Sequence, residues 1–109
     1  MAKMLRTFFP TRFFRGVVDP HEFRELENLA VRVRFGANRI IFSESDLADS
    51  IFGVSKGFVR LYKLLPDGRR QILSFALPGE FFGMPIASRY NLSADAIGEV
   101  VLSRFHVPS

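Results

Sequence analysis

From residue 31 onward, apolar positions recur with a period of two. Val31, Val33 and Phe35 alternate with Arg32 and Arg34, the pattern of a strand with one face in water. Gly36-Ala37-Asn38 breaks that run, residues 39–42 read as a second short strand, and residues 44–50 as a polar loop. Further strands are expected at 51–54, 58–65, 71–77 and about 94–104, with a less regular stretch over 80–92. Pro66-Asp67-Gly68 joins two of these strands as a hairpin turn: Pro presets φ, and Gly takes the left-handed position. Leu77-Pro78-Gly79-Glu80 has the chemistry of a type II turn. Before the strands, the period is that of a helix near residues 20–30. Asp19 serves as N-cap, Pro20 stands at the first helical position and Glu22 completes a capping box. Phe23, Leu26, Leu29 and Ala30 fall on one face of it. Short, turn-punctuated strands after one short helix predict an antiparallel β-roll or jelly roll (a double-stranded β-helix), not a βαβ sheet.

Composition changes this picture in three places. The 109 residues make one domain, and 13 Phe with no Trp predict a core built on phenylalanine. With no cysteine, the chain has no disulfide, thiolate nucleophile or cysteine-held zinc or iron–sulfur cluster. The +4 net charge lies wholly in residues 1–18, where Lys3, Arg6, Arg12 and Arg15 meet no acid; the other 91 residues are neutral overall. Residues 1–18 therefore read as a basic, Phe-rich arm carrying Phe8, Phe9, Phe13 and Phe14, suited to packing on the roll or on a partner subunit, with disorder or a nucleic-acid or membrane surface role as the alternatives, and residues 19–109 as the roll itself. No apolar run approaches the ~20 residues of a membrane span, and the N-terminus lacks a signal-peptide pattern, so no membrane role and a cytoplasmic location are expected.

The wording of the hairpin, Val59-Arg60-Leu61-Tyr62-Lys63-Leu64-Leu65-Pro66-Asp67-Gly68-Arg69-Arg70-Gln71-Ile72 followed by Phe75-Ala76-Leu77-Pro78-Gly79-Glu80-Phe81-Phe82-Gly83, resembles the sensory β-roll of the Crp/Fnr transcription regulators, and within them the FixK type. Ile41-Phe42-Ser43-Glu44-Ser45-Asp46, Ile51-Phe52, Lys56-Gly57-Phe58 and Glu99-Val100-Val101-Leu102-Ser103-Arg104-Phe105 extend the likeness over roughly residues 19–105. The resemblance implies an effector domain of a regulator whose dimerisation helix and helix-turn-helix are absent from this chain. RNA polymerase and promoter DNA are then partners of the full-length protein alone, a homodimer being left open. Asn38 and Ser45 stand where the family often has turn glycines; Asn tolerates the left-handed conformation, whereas Ser45 implies a slightly different turn.

Cyclic-nucleotide-binding members carry a phosphate cassette in which a Gly lets the backbone approach, a Glu holds the ribose and an Arg forks onto the phosphate. Phe82, Gly83, Ser93 and Ala94 keep that pattern, but Met84 stands at the Glu position and Leu92 at the Arg position. Two missing charge-assisted contacts, at about 1.5–3 kcal/mol each, weaken such a site roughly 10²–10⁴-fold. Arg89 as a substitute cation, an apolar plug of Met84, Ile86 and Leu92, and a different apolar ligand are the alternatives. Asp67, Gly68, Arg69 and Arg70 form a hairpin tip that fits a polymerase contact or simply a solvated end. A cupin-type enzyme would need several imidazoles, and His21 in the helix and His106 in the tail do not have metal-ligand spacing. The resemblance implies no cofactor. A cyclic-nucleotide receptor of another kind would require the intact Glu/Arg pair. With four residues after Phe105, Pro108 among them, the chain is expected to bind DNA weakly and without sequence preference. Titration with palindromic and scrambled duplexes at ~150 mM salt should show less than about a tenfold difference.

Overall fold

Two long strands, β3 (Ser50–Leu64) and β6 (Ser93–His106), carry the architecture. They pair antiparallel from Ser50↔His106 to Tyr62↔Ser93. The computed structural model describes residues 20–84 and 88–106, without the side chains of Glu22 and Phe23. The arm over residues 1–18, the Asp19 cap and Ile86 therefore lie outside the described residues, as does the Glu22 side chain of the capping box.

The other strands attach to this pair. β1 (Val31–Phe35) and β2 (Ile40–Phe42) both pair with β6, whereas β4 (Arg70–Ala76) and β5 (Phe81–Phe82) pair with β3. The main path of the sheet runs β1-β6-β3-β4, which leaves β4 on an edge. All pairings are antiparallel, as expected for the roll.

The two strands expected at 51–54 and 58–65 are one continuous strand. Its register slips between Val54 and Lys56 and again between Lys56 and Phe58, so β3 bends without breaking. Gly57, at φ +86°, sits in the bend, and a Cβ there would lie 2.5 Å from the Glu99 carbonyl oxygen. β6 likewise runs beyond the expected 94–104 to include His106, which pairs with Ser50 and is not a tail residue.

The hairpin turn is built as its residues require. Gly68 N–H donates to the Leu65 carbonyl at 2.9 Å with Gly68 at φ +88°, and Leu65 N–H donates to Arg69 at 2.8 Å. Glu80 N–H closes onto Leu77 across Gly79, the type II arrangement. Ser45 differs from expectation, since at φ +75° it adopts the left-handed geometry that suits a glycine; Asn38 does the same at +65°.

Helix α1 (Pro20–Glu27) ends earlier than its apolar face suggested. The N–H groups of Asn28, Leu29 and Ala30 bond three residues back, tightening the exit, and Leu29 is left exposed. Among the described side chains of the helix, Leu26 is the buried one, packed with Ile51, Phe81 and Phe105. Glu27 fixes the exit, accepting from Ser55 Oγ on β3 and, at 3.5 Å, from Ser103 Oγ on β6.

The larger cluster holds Phe42, Phe52, Phe82 and Tyr90 among small residues that include Ala94 and Ala96. Phe42 stacks on Tyr90 at 3.7 Å and 10°, and Phe52 on Phe82 at 5.4 Å and 18°. The phenylalanine core thus forms, each buried ring contributing on the order of 1.5–3 kcal/mol. Gly57→Ala should remove about 3 kcal/mol or more of stability, because the new methyl meets backbone and must also adopt a left-handed conformation. Urea denaturation of the two proteins checks this.

Candidate functional site

The cassette positions lie where β5 leaves the sheet and where β6 enters it. Phe82 is buried, and Gly83 follows at φ +88° with its Cα face against two rings: a Cβ there would lie 3.2 Å from both Phe42 and Phe52. The glycine therefore has a packing reason in this chain, with no ligand needed to explain it. Met84 packs onto the Leu26, Ile51, Phe81 and Phe105 cluster, whereas Leu92 packs onto the larger one. The structure sends these two side chains to different clusters, so they do not converge in one plug.

Ser93 and Ala94 open β6 with opposite facing. Ala94 is fully buried in the larger cluster, and Ser93 Oγ accepts the Glu44 N–H at 2.9 Å. Arg89 donates Nη1 to the Ser45 carbonyl at 2.7 Å, which ties its guanidinium to the 43–49 loop. The same two segments are joined by backbone bonds between Asp46 and Tyr90, Ser45 and Tyr90, and Ala48 and Ser88.

The next residue of β6, Asp95, carries the most concentrated electrostatics among the described residues. It is 1% exposed, yet charged groups from two other strands reach it. Arg60 Nε on β3 donates to Oδ1 at 2.9 Å, and Arg70 Nη1 on β4 donates to Oδ2 at 2.9 Å. Arg70 also lies 4.6 Å above the Tyr62 ring. Sequence reasoning missed Asp95. Only the register Arg60↔Asp95 brings it to its partners, and that register spans 35 residues.

The hairpin tip is accordingly split. Arg69 donates to the exposed Asp67 at 2.7 Å, while Arg70, itself partly exposed, turns back onto Asp95. The Arg69 backbone N–H, and then its guanidinium, hold the Asp67 carboxyl below its ordinary value. His21 pairs with Glu25 at 3.0 Å on the exposed helix face. Among the described residues, no three His, Asp or Glu side chains are grouped to hold a metal, and no helix is long and apolar enough to cross a membrane.

A cavity of about 230 Å³ opens beside β1, with Phe35, Asp49, Tyr90 and Arg104 in its wall; none of the cassette positions borders it. Tyr90 donates its hydroxyl to the Ser50 carbonyl at 2.8 Å, and burial pushes its phenol up from 10.0 to about 12.

Comparison with known proteins fits this arrangement. The family described as "Cyclic nucleotide-binding domain" matches residues 32–107. The chain is 53% identical over 88 residues to the nitrogen fixation regulation protein FixK of Bradyrhizobium diazoefficiens, covering 81% of this chain and 37% of that protein. It is 51% identical over 90 residues to the transcriptional activatory protein AadR of Rhodopseudomonas palustris, covering 83% of this chain and 38% of that protein. The solved structure of FixK2 from Bradyrhizobium japonicum superposes with a TM-score of 0.68 at 36% identity, over 71% of this chain and 39% of that one. The chain thus spans under two-fifths of the length of these curated relatives.

Two outcomes follow from the side-chain geometry. Asp95→Ala should cost about 2–3 kcal/mol in urea denaturation, since it leaves two arginines without their shared carboxylate, whereas Asp67→Ala at the exposed tip should shift the midpoint far less. Because Tyr90's folded pKa lies above its ordinary value, the stabilisation is intact below pH 10 and is lost as pH rises from 10 toward 12. Tyr90→Phe should flatten that alkaline loss, measured as the denaturation midpoint against pH.

Proposed function

The chain belongs to the cyclic nucleotide-binding domain family, within its Crp/Fnr regulators, and from that premise we propose that it is the effector domain of a FixK-like transcription regulator that does not take up cyclic nucleotides. The observation that carries this reading is the fate of the two cassette positions. Met84 and Leu92 bring no charge, and each is committed to a different apolar cluster. A cyclic phosphate brought to Gly83 would lose its hydration without gaining a fixed cation, and Arg89 is held by the Ser45 carbonyl.

The domain is non-catalytic in this reading, which the transcription regulators it resembles support. It works in the cytoplasm, as a part of a longer protein that supplies the DNA-reading elements. Promoter DNA and RNA polymerase are the partners of that longer protein, and the Asp67–Arg69 tip is the hairpin surface available to the polymerase. A homodimer remains compatible with the arrangement.

Calorimetric titration of the chain with cyclic AMP and cyclic GMP should give no binding tighter than ~10 μM, given a cassette weakened roughly 10²–10⁴-fold. A tighter constant for either nucleotide would overturn the proposal. Met84→Glu with Leu92→Arg should not restore binding, because each charge would enter an apolar cluster; the double variant should instead unfold at lower urea.

A further inference from the structure

The β3–β4 hairpin has two faces of different character. Val59 and Leu61 on β3, Ala76 on β4, and Ala94 and Ala96 on β6 point into the larger cluster. Residues between them on the strands point the other way. Cross-strand partners share a face, so the registers Leu64↔Arg70, Tyr62↔Ile72, Arg60↔Phe75, Arg60↔Asp95 and Phe58↔Ile97 define one continuous outer surface over three strands.

Around the buried Tyr62 and Asp95, that surface presents large apolar side chains to solvent. Phe58 is 49% exposed, Leu64 58%, Ile72 43% and Phe75 50%, and all four lie on it. Together they expose on the order of 300–400 Å² of apolar area, the size at which a patch on a monomer marks an interaction site. Within the patch sits the Asp95 cluster. Its single carboxylate is occupied by Arg60 and Arg70, so it carries a surplus positive charge, on an Arg70 side chain that is 44% exposed.

We propose that this outer face of β3, β4 and β6 is a docking surface for an amphipathic helix of a partner protein, whose apolar stripe covers Phe58, Ile72, Leu64 and Phe75 and whose acidic side chain meets Arg70. The dimensions fit. The outer two of three neighbouring strands lie about 10 Å apart, which is the diameter of a helix. The six-residue step from Phe58 to Leu64 is about 20 Å, or three to four helical turns. Charge selects the occupant. A second copy of this surface would set surplus positive charge against itself across a two-fold axis, and the arm of residues 1–18 carries four basic side chains and no acid.

The test uses the whole chain and a labelled 15-residue peptide with Leu at helical spacing and Glu flanking the stripe. A sister peptide has Lys in place of Glu, and a third has the first one's residues scrambled. Fluorescence anisotropy at ~150 mM salt should show saturable binding of the acidic helix, at least tenfold tighter than the basic one and absent for the scrambled one. Phe58→Ser with Phe75→Ser should weaken it at least tenfold while circular dichroism stays unchanged, since both rings are solvent-facing. Arg70→Gln should erase the preference for acid while Arg60 still pairs with Asp95. Equal affinity for the Lys peptide, or no saturable binding, would overturn the proposal. So would a concentration-dependent dimer that Phe75→Ser dissolves, because the face would then belong to a second copy.

Discussion

The antiparallel pairing of β3 with β6 is the constraint on which the rest of this structure depends. Every other strand hangs on one of these two, and both layers of the core form where the pair bends. The bend is possible because Gly57 occupies a place where the backbone of β6 leaves no room for a Cβ. A straight pair would give an open sheet with one buried side. The bulged pair instead brings Phe82 from β5 and Phe42 from β2 onto Phe52, so that strands attached to different partners share one aromatic stack.

Polar chemistry is distributed to reinforce that frame. Glu27 ties the helix exit to Ser55 and Ser103, one residue on each long strand. Asp95 ties β6 to β3 and β4. Both acids bond across 25 residues or more, so each holds elements that local sequence could not keep together. Neither belongs to the cassette, where a charged pair would be expected if a nucleotide were held. Fixed charge has gone to joining strands, and the cassette has gone to packing.

Much of the fold was legible in the sequence, for physical reasons that can be named. Alternation at Val31, Val33 and Phe35 and turn chemistry at Pro66-Asp67-Gly68 are local signals, and local backbone geometry obeyed them. What was not legible depended on register. The single strand β3 reads as two because Ser55-Lys56-Gly57 interrupts the apolar pattern, although a bulge accommodates it. Leu29 reads as helix-facing because the periodicity cannot show that the helix tightens and stops at Glu27. Asp95 reads as an ordinary strand acid until β6 is laid beside Arg60. In the cassette, residue identities alone showed that charge was missing, but the separate destinations of Met84 and Leu92 required the packing.

The placement of β6 has a consequence for how the chain is made. β1 and β2 find their strand partner in β6, which begins about 50 to 60 residues later. At ordinary rates of synthesis, roughly 5–20 residues per second, several seconds pass in which these two strands have emerged while the strand that completes them does not yet exist. The β3–β4 hairpin, closed by its own turn, can form in that interval, but with its inner row of Val59, Leu61 and Ala76 uncovered. The nascent domain therefore waits with β1 and β2 unpaired and closes when β6 slots between β1 and β3 in the sheet.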